Sequence, residues 1–362
     1  MPKTNFAPIC LNSSLSGNLK SMKSVKKDPF AKKRKADHID LAMQSAIGAH
    51  QIDRRFRYEP MLSGHPTTEM DLSLSFLGKK MKAPIWVSSM TGGTDHARKI
   101  NHQLARVCGE FGLGMGLGSC RMLLDADDRL VDFDVRDLIG KDVPLYANLG
   151  IAQVESLIEE HAVEKIQRLL SKLRADGLII HVNPIQEWLQ PEGDHIKHPP
   201  IETIQKLIDT APGKYIVKEV GQGMGPQSVR ELLKLPLTAI EFAAHGGTNF
   251  ARLEMLRAEK DINQSYAPLA MVGHDVFEMS EMVNQVWKEL GEQVNCHEII
   301  ISGGVKTFLD GYFLMNKLNL TGVYGQASAF LQHAQGEYDQ LRTFVHRQIE
   351  GLKLAKSFLR VV

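Results

Sequence analysis

Cysteine is scarce in this chain of 362 residues: Cys10, Cys108, Cys120 and Cys296 are the whole supply, with no CxxC pair and no zinc-site spacing. That excludes a disulfide framework and favours free thiols in a reducing compartment. No apolar run approaches the roughly 20 residues that span a bilayer, and the first thirty residues lack the apolar segment of a secretory signal. An excess of one charge is missing too. With 43 basic against 42 acidic side chains the net charge is +1, so there is no global pull toward nucleic acid or an anionic membrane. Tryptophan is rare, and Trp86, Trp188 and Trp287 stand too far apart for an aromatic cofactor box; Trp86 is expected in the core. These absences describe a soluble cytoplasmic protein with neither nucleic acid nor membrane as partner.

What the chain does have is enough apolar content, 43%, to bury a large core. Residues 1–33 read as a flexible extension containing the start of the basic run Lys32-Lys33-Arg34-Lys35. Asp37 is placed as a helix N-cap just after it. Residues 34–82 are expected to form a cap, in which 71–78 alternates polar and apolar like a hairpin arm. From residue 83 the pattern alternates strand and helix. Strands are expected at 84–88, 113–117, 144–148, 178–183, 215–218, 239–242, 298–301 and 322–324, with helices such as 96–111, 154–173 and 308–318 between them. Eight such units over about 250 residues predict an α/β protein, a (β/α)8 TIM barrel over 83–335. The segment from Gly246 past Leu290 is too long for one helix and holds an extra loop or helix. An amphipathic helix over 332–359 closes the chain, within a C-terminal helical segment 336–362.

Five expected strands finish in polar or glycine residues, and barrels carry their active sites at those ends. The densest is His181-Val182-Asn183-Pro184-Ile185-Gln186-Glu187, after Leu178-Ile179-Ile180. Positions two apart share a face, so His181 and Asn183 point alike, and Pro184 ends the ladder and releases Gln186 and Glu187 into a loop. The alternative is that His181 and Asn183 satisfy loop backbone while Gln186 and Glu187 start a solvated helix. Ser302-Gly303-Gly304 and Gly325-Gln326-Ala327-Ser328 occupy the places where barrels commonly bind phosphate, and Gly246-Gly247-Thr248 adds a third glycine turn.

These segments resemble a known family. RKADHI at 34–39, SMTGG at 89–93, GSCR at 118–121, ANLG at 147–150, HVNPIQE at 181–187, QPEGD at 190–194, VKEVG at 217–221, GGTNF at 246–250 and SGGVK at 302–306 occur in the order found in type 2 isopentenyl-diphosphate isomerases, FMN-dependent barrel enzymes. Cys120, the segment 241–245, the segment 271–275 and Lys306 depart from the family pattern.

The resemblance implies roles. Ser89, Met90, Thr91, Ser119 and Asn148 would border the flavin, with Lys218 placing a positive charge that favours its anionic reduced form. Thr248, Gly304, Val305, Lys306, Ala327 and Ser328 would hold the ribityl and phosphate part. Arg34 and Lys35 would clamp the substrate diphosphate with His38, Arg121 and His181 nearby. Gln186 would contact substrate, and Glu187 would bind Mg2+ shared with the diphosphate. His181, Gln186 and Glu187 are thus the expected catalytic set. The implied reaction moves a proton to the terminal methylene of isopentenyl diphosphate and another from C2, giving dimethylallyl diphosphate in isoprenoid biosynthesis. No ordinary side chain protonates an alkene readily, and no pair of carboxylates stands at the strand ends; reduced FMN would serve as acid and base, with NADPH as the expected reductant. The family also implies a homo-oligomer, a tetramer or octamer. Three rival readings stay open: an FMN oxidoreductase of the hydroxy-acid oxidase type, with His245 as base; an aldolase with Lys218 as Schiff-base lysine; and a non-catalytic ligand-binding barrel.

Overall fold

The computed structural model describes residues 33, 37–38, 40–89, 95–258 and 265–362. The chain divides into two units, 1–53 and 54–362. In the first, Ala49–Gln51 makes a 3-10 turn, and the Gly48 N–H donates to Gln51 Oε1 at 3.0 Å. Asp37 and His38 are both helical, so Asp37 lies inside a helix and not ahead of it as its cap.

The second unit opens with three short strands, β1 (Phe56–Tyr58), β2 (Leu74–Phe76) and β3 (Lys79–Met81). Eight parallel strands follow: β4 (Ile85–Val87), β5 (Gly114–Gly116), β6 (Leu145–Gly150), β7 (Gly177–His181), β8 (Tyr215–Lys218), β9 (Ala239–Glu241), β10 (Glu298–Ser302) and β11 (Thr321–Gln326). They close into a barrel in which β11 pairs with β4 and β10 with β9. Leu178-Ile179-Ile180 and Ile299-Ile300-Ile301 are fully buried, as strands covered on both faces must be. Outward residues such as Leu178, Ile180, Ile299 and Ile301 join the core beneath the helices. Inward residues form a separate cluster, in which Trp86, Tyr146, Ile179, Ile216, Ile300 and Val323 fill the cylinder. Gly114 makes room for this filling, since a Cβ there would overlap the Trp86 ring.

The β2–β3 hairpin plugs the amino-terminal end. Its turn, Leu77-Gly78, has φ of +54° and +74°, the conformation of a two-residue hairpin loop. Phe76, Leu77 and Met81 extend the inner cluster, and the Leu77 N–H donates to Glu298 at the start of β10 at 2.8 Å. At the far end of the unit, β12 (Leu359–Val361) pairs antiparallel with β1.

Two expected helices are each broken in two. The 154–173 pattern becomes Ile151–Glu159 and Glu164–Leu173, separated where His161 takes φ +54°. The Ala162 N–H there reaches back to Leu157 O at 2.8 Å, a Schellman-type closure. The terminal pattern becomes Ser328–Ala334 and Tyr338–Phe358, with Gly336 between; Leu341, Val345 and Leu352 of the longer helix are buried against the barrel's helices. The long connection after β9 contains Phe250–Arg257, the 3-10 segment Ala267–Met271 and Val276–Leu290.

Candidate active site

Strand periodicity builds the site. Two residues beyond each inward apolar side chain, the next inward position stands at the carboxyl end of its strand. Those positions are Ser88 after Trp86, Asn148 after Tyr146, His181 after Ile179, Lys218 after Ile216, Glu241 after Ala239 and Ser302 after Ile300. An apolar layer is thus overlaid by a polar one. Two adjoining cavities open above it, of about 70 and 130 Å3, sharing Ser89, Lys218, Val220 and Phe250 in their walls.

The first cavity runs over β8 to β11 and the glycine turns. Gly303 and Gly304 take φ of +91° and +74°, and Gly246 +106°. A Cβ on Gly303 would fall on the backbone of Ala244, so this turn requires glycine both for its conformation and for its close approach. Buried polar atoms are left over here: Ser88 Oγ, Ser89 Oγ, Glu241 Oε2 and Gln326 Oε1 have no hydrogen-bond partner within the described residues. Buried polar groups are otherwise nearly always paired, so a polar ligand suits this wall. Glu241 is wholly buried; Ser302 Oγ donates to its Oε1 at 3.1 Å and accepts the Ala243 N–H at 3.0 Å. Burial pushes the Glu241 carboxyl above its ordinary pKa, and Lys218 opposes that rise.

The second cavity is lined by Asn148, His181, Gln186, Lys218 and Ser119. His181 Nδ1 lies 2.7 Å from Asn148 Oδ1. Burial, helped by Lys218, pushes the His181 pKa down to about 3, so the ring is neutral at pH 7. With Asn148 Oδ1 accepting, the ring proton sits on Nδ1 and the Nε2 lone pair is the free one.

The loop reading of residues 184–187 is corrected by the structure. Pro184 is the first residue of a short helix, Pro184–Leu189, where its missing N–H costs nothing. Gln186 and Glu187 therefore stand on a helical turn beginning at Asn183. Asn183 Nδ2 donates to Glu187 Oε1 at 2.8 Å, and the Asp194 N–H donates to Glu187 Oε2 at 2.9 Å. Asp194 pairs with Arg121 at 2.8 Å and accepts from Gln153 at 2.9 Å, so the 190–194 segment is strapped to the barrel. Gln186 Nε2 reaches Glu254 Oε1 at 3.4 Å. Glu254, only 4% exposed, was not legible as a site residue because it sits inside an ordinary helical pattern.

Of the residues singled out in the sequence, Ser89, Ser119, Asn148, His181, Gln186, Lys218, Thr248, Gly304, Val305, Ala327 and Ser328 line these two cavities. Lys306 lines neither; it borders a separate groove beside Arg347 and His333. Met90, Thr91, Arg34 and Lys35 lie outside the described residues, and His38 belongs to the first unit. His245 Nε2 lies 3.1 Å from Ala270 O, a backbone contact away from the cavity walls. Cys120 is buried with its thiol pushed up to about 12 by burial, so it is inert packing. No cluster of three metal-ligating side chains occurs among the described residues. No described helix is long and apolar enough to cross a membrane.

No protein-family model matches the chain. Curated relatives do. Isopentenyl-diphosphate delta-isomerase of Rickettsia felis is 32% identical over 328 residues, covering 89% of this chain and 90% of that protein. The enzyme of the same name from Rickettsia akari is 34% identical over 325 residues, covering 89% and 91%. Among solved structures, a flavocytochrome b2 variant with pyruvate bound matches with a TM-score of 0.57 at 12% identity, over 84% of this chain and 72% of that one. A mandelate oxidase variant with a monooxide FMN adduct matches with a TM-score of 0.51 at 12% identity, over 85% and 88%. At that identity the structural likeness speaks for the fold alone.

Proposed function

This chain belongs to the isopentenyl-diphosphate delta-isomerase family, and from that membership we propose that it converts isopentenyl diphosphate to dimethylallyl diphosphate with reduced FMN in the barrel mouth and Mg2+ on the diphosphate. The observation that carries the reading is the inward polar layer under two joined cavities, with unpaired hydroxyls and glycine turns on one side and His181, Asn148 and Gln186 on the other. Those features fit FMN. The unpartnered Ser88, Ser89 and Gln326 atoms, the Gly303-Gly304 turn and the cation of Lys218 are what a flavin with a phosphorylated chain needs. When bound and reduced, FMN supplies a proton donor and acceptor strong enough for an alkene.

The chain's own residues bind, orient and exclude water. Neutral His181 offers its Nε2 lone pair as a hydrogen-bond acceptor, while Asn148 fixes the ring. Gln186, held by Glu254, presents an amide to the substrate without adding charge. Glu187 suits Mg2+ as a single carboxylate ligand: each oxygen takes one protein hydrogen bond and keeps a lone pair, and diphosphate oxygens and waters would complete the shell. Arg34, Lys35 and His38 are proposed to bind the diphosphate, Arg121 with them. NADPH is the proposed reductant.

The competing reading is a hydroxy-acid oxidase, prompted by His245 before the glycine turn on a barrel of this fold. Such an enzyme needs a His base beside an Arg, whereas His245 is tied to Ala270 O and followed by glycine, Thr248 and Asn249. One experiment separates them: load the protein with FMN and Mg2+, reduce it anaerobically, and follow isopentenyl diphosphate by NMR while counting reducing equivalents. Many product molecules per equivalent support isomerisation. Stoichiometric consumption, or no allylic product, overturns it.

A further inference from the structure

Among the described residues two buried carboxylates keep an oxygen without a hydrogen bond, Asp132 and Glu241, and Asp132 has the Arg129 guanidinium at 3.6 Å from that oxygen. Glu219 Oε2 accepts the N–H groups of Gly221, Gln222 and Gly223, and Glu187 is bonded at both oxygens. Asp176 pairs with Lys79 through one oxygen, and with Arg136 and the Leu145 N–H through the other. Glu241 differs. It is 0% exposed, it is held by the Ser302 hydroxyl alone, and its Oε2 is unpaired in the wall of the first cavity. Trp86 Nε1 and Ser88 Oγ face the same carboxylate closely enough to favour its charged form, short of full hydrogen-bond geometry. A carboxylate kept only for packing would not leave an oxygen orphaned beside a cavity.

Its neighbour explains the choice of residue. Lys218 and Glu241 are register partners on adjacent parallel strands, which lie about 4.8 Å apart. Both side chains enter the same cavity. The Lys218 ammonium has the neutral carbonyl of Glu219 at 2.8 Å as its hydrogen-bond acceptor and lies only 6% exposed. A buried cation of this kind needs a counter-charge within a few ångströms. We propose that Glu241 is the built-in counter-charge of Lys218, a positioning residue that sets the net charge the cavity presents to a bound flavin. The inference rests on the FMN reading above. Lys218 favours the anionic reduced cofactor and Glu241 restrains it, so the pair fixes the relative affinity for the two redox forms.

The test is the ratio of dissociation constants for reduced and oxidised FMN, read with the bound reduction potential. Glu241→Gln keeps the shape and the Ser302 contact while deleting the charge. It is expected to tilt the ratio at least tenfold toward reduced FMN, a positive shift of about 30 mV for a two-electron couple. Should that variant not fold, Ser302→Ala removes the one hydrogen bond holding the carboxylate and is expected to move the ratio in the same direction by about threefold. Wild-type protein that binds FMN, with a ratio unmoved in whichever variant folds, overturns the role of Glu241 and leaves the flavin reading intact. Wild-type protein that retains no FMN overturns both.

Discussion

Glu187→Gln separates a metal-binding role from a structural one. The substitution keeps the shape of the side chain, removes one charge and turns one acceptor oxygen into a donor NH2. Asn183 Nδ2 and the Asp194 N–H now occupy the two oxygens, so one donor must lose its acceptor in either amide orientation. Asn183 is 2% exposed; its Nδ2 also donates to Gln186 Oε1 at 3.1 Å, so losing Glu187 would leave one of its two N–H groups unmet, at about 1–3 kcal/mol. The Asp194 N–H belongs to a partly exposed segment that water reaches, so the amide turns its oxygen to Asn183 and releases Asp194. The expected stability loss is then about 1 kcal/mol, or roughly 2–4 °C in Tm for a unit of this size. Turnover is expected to fall more than a hundredfold at saturating substrate, with flavin retained and the rate no longer saturating with Mg2+. The checks are a thermal melt, the flavin absorbance after gel filtration, and initial rates across a Mg2+ series. Wild-type turnover with an unchanged Mg2+ midpoint refutes the metal-ligand role. A Tm loss above about 10 °C with loss of flavin would assign Glu187 to the fold instead.

Three other outcomes are expected. The His181 ring, with its pKa depressed from 6.5 to about 3 by burial, should show no imidazole titration by NMR between pH 8 and 5; and because the unfolded chain takes that proton first, His181→Gln should flatten the loss of stability as pH falls below 6.5. Gly303→Ala, at φ +91° with its new methyl against Ala244 backbone, is expected to cost about 2–4 kcal/mol in chemical denaturation and to weaken flavin binding. Arg136→Ala breaks four hydrogen bonds, to Arg174 O, Gly140 O, Val143 O and Asp176, and should cost about 3–5 kcal/mol while leaving the bound flavin's potential unchanged.

The barrel was legible because its strands are short, continuous apolar runs separated by helical patterns, and five of them end in polar or glycine residues. Ser88, Asn148, His181, Lys218 and Ser302 follow from that rule alone. Glu241 obeys it too, but read in sequence it was only a departure from a familiar motif; its isolation depends on which oxygen finds a donor, a matter of ångströms. Glu254 was hidden for another reason. It lies on a helix between two unremarkable turns, and only the fold brings it to Gln186. The helix at Pro184 was misread as loop because proline ends strands and starts helices alike, and the sequence does not say which side of it matters. The breaks at His161 and Gly336 were missed because apolar spacing continues across them.

The pairing of β1 with β12 leaves the chain of the second unit almost a ring. The Val362 N–H donates to Arg55 O at 3.0 Å, so the two ends of the unit meet within one hydrogen bond. The seam lies beside the helix that follows β10, where Arg55 pairs with Asp310 at 2.8 Å, and the covalent order of the eight repeats is cut there. A circular permutant joining 362 to 55 through a few residues and reopened at an exposed turn would inherit the same cylinder.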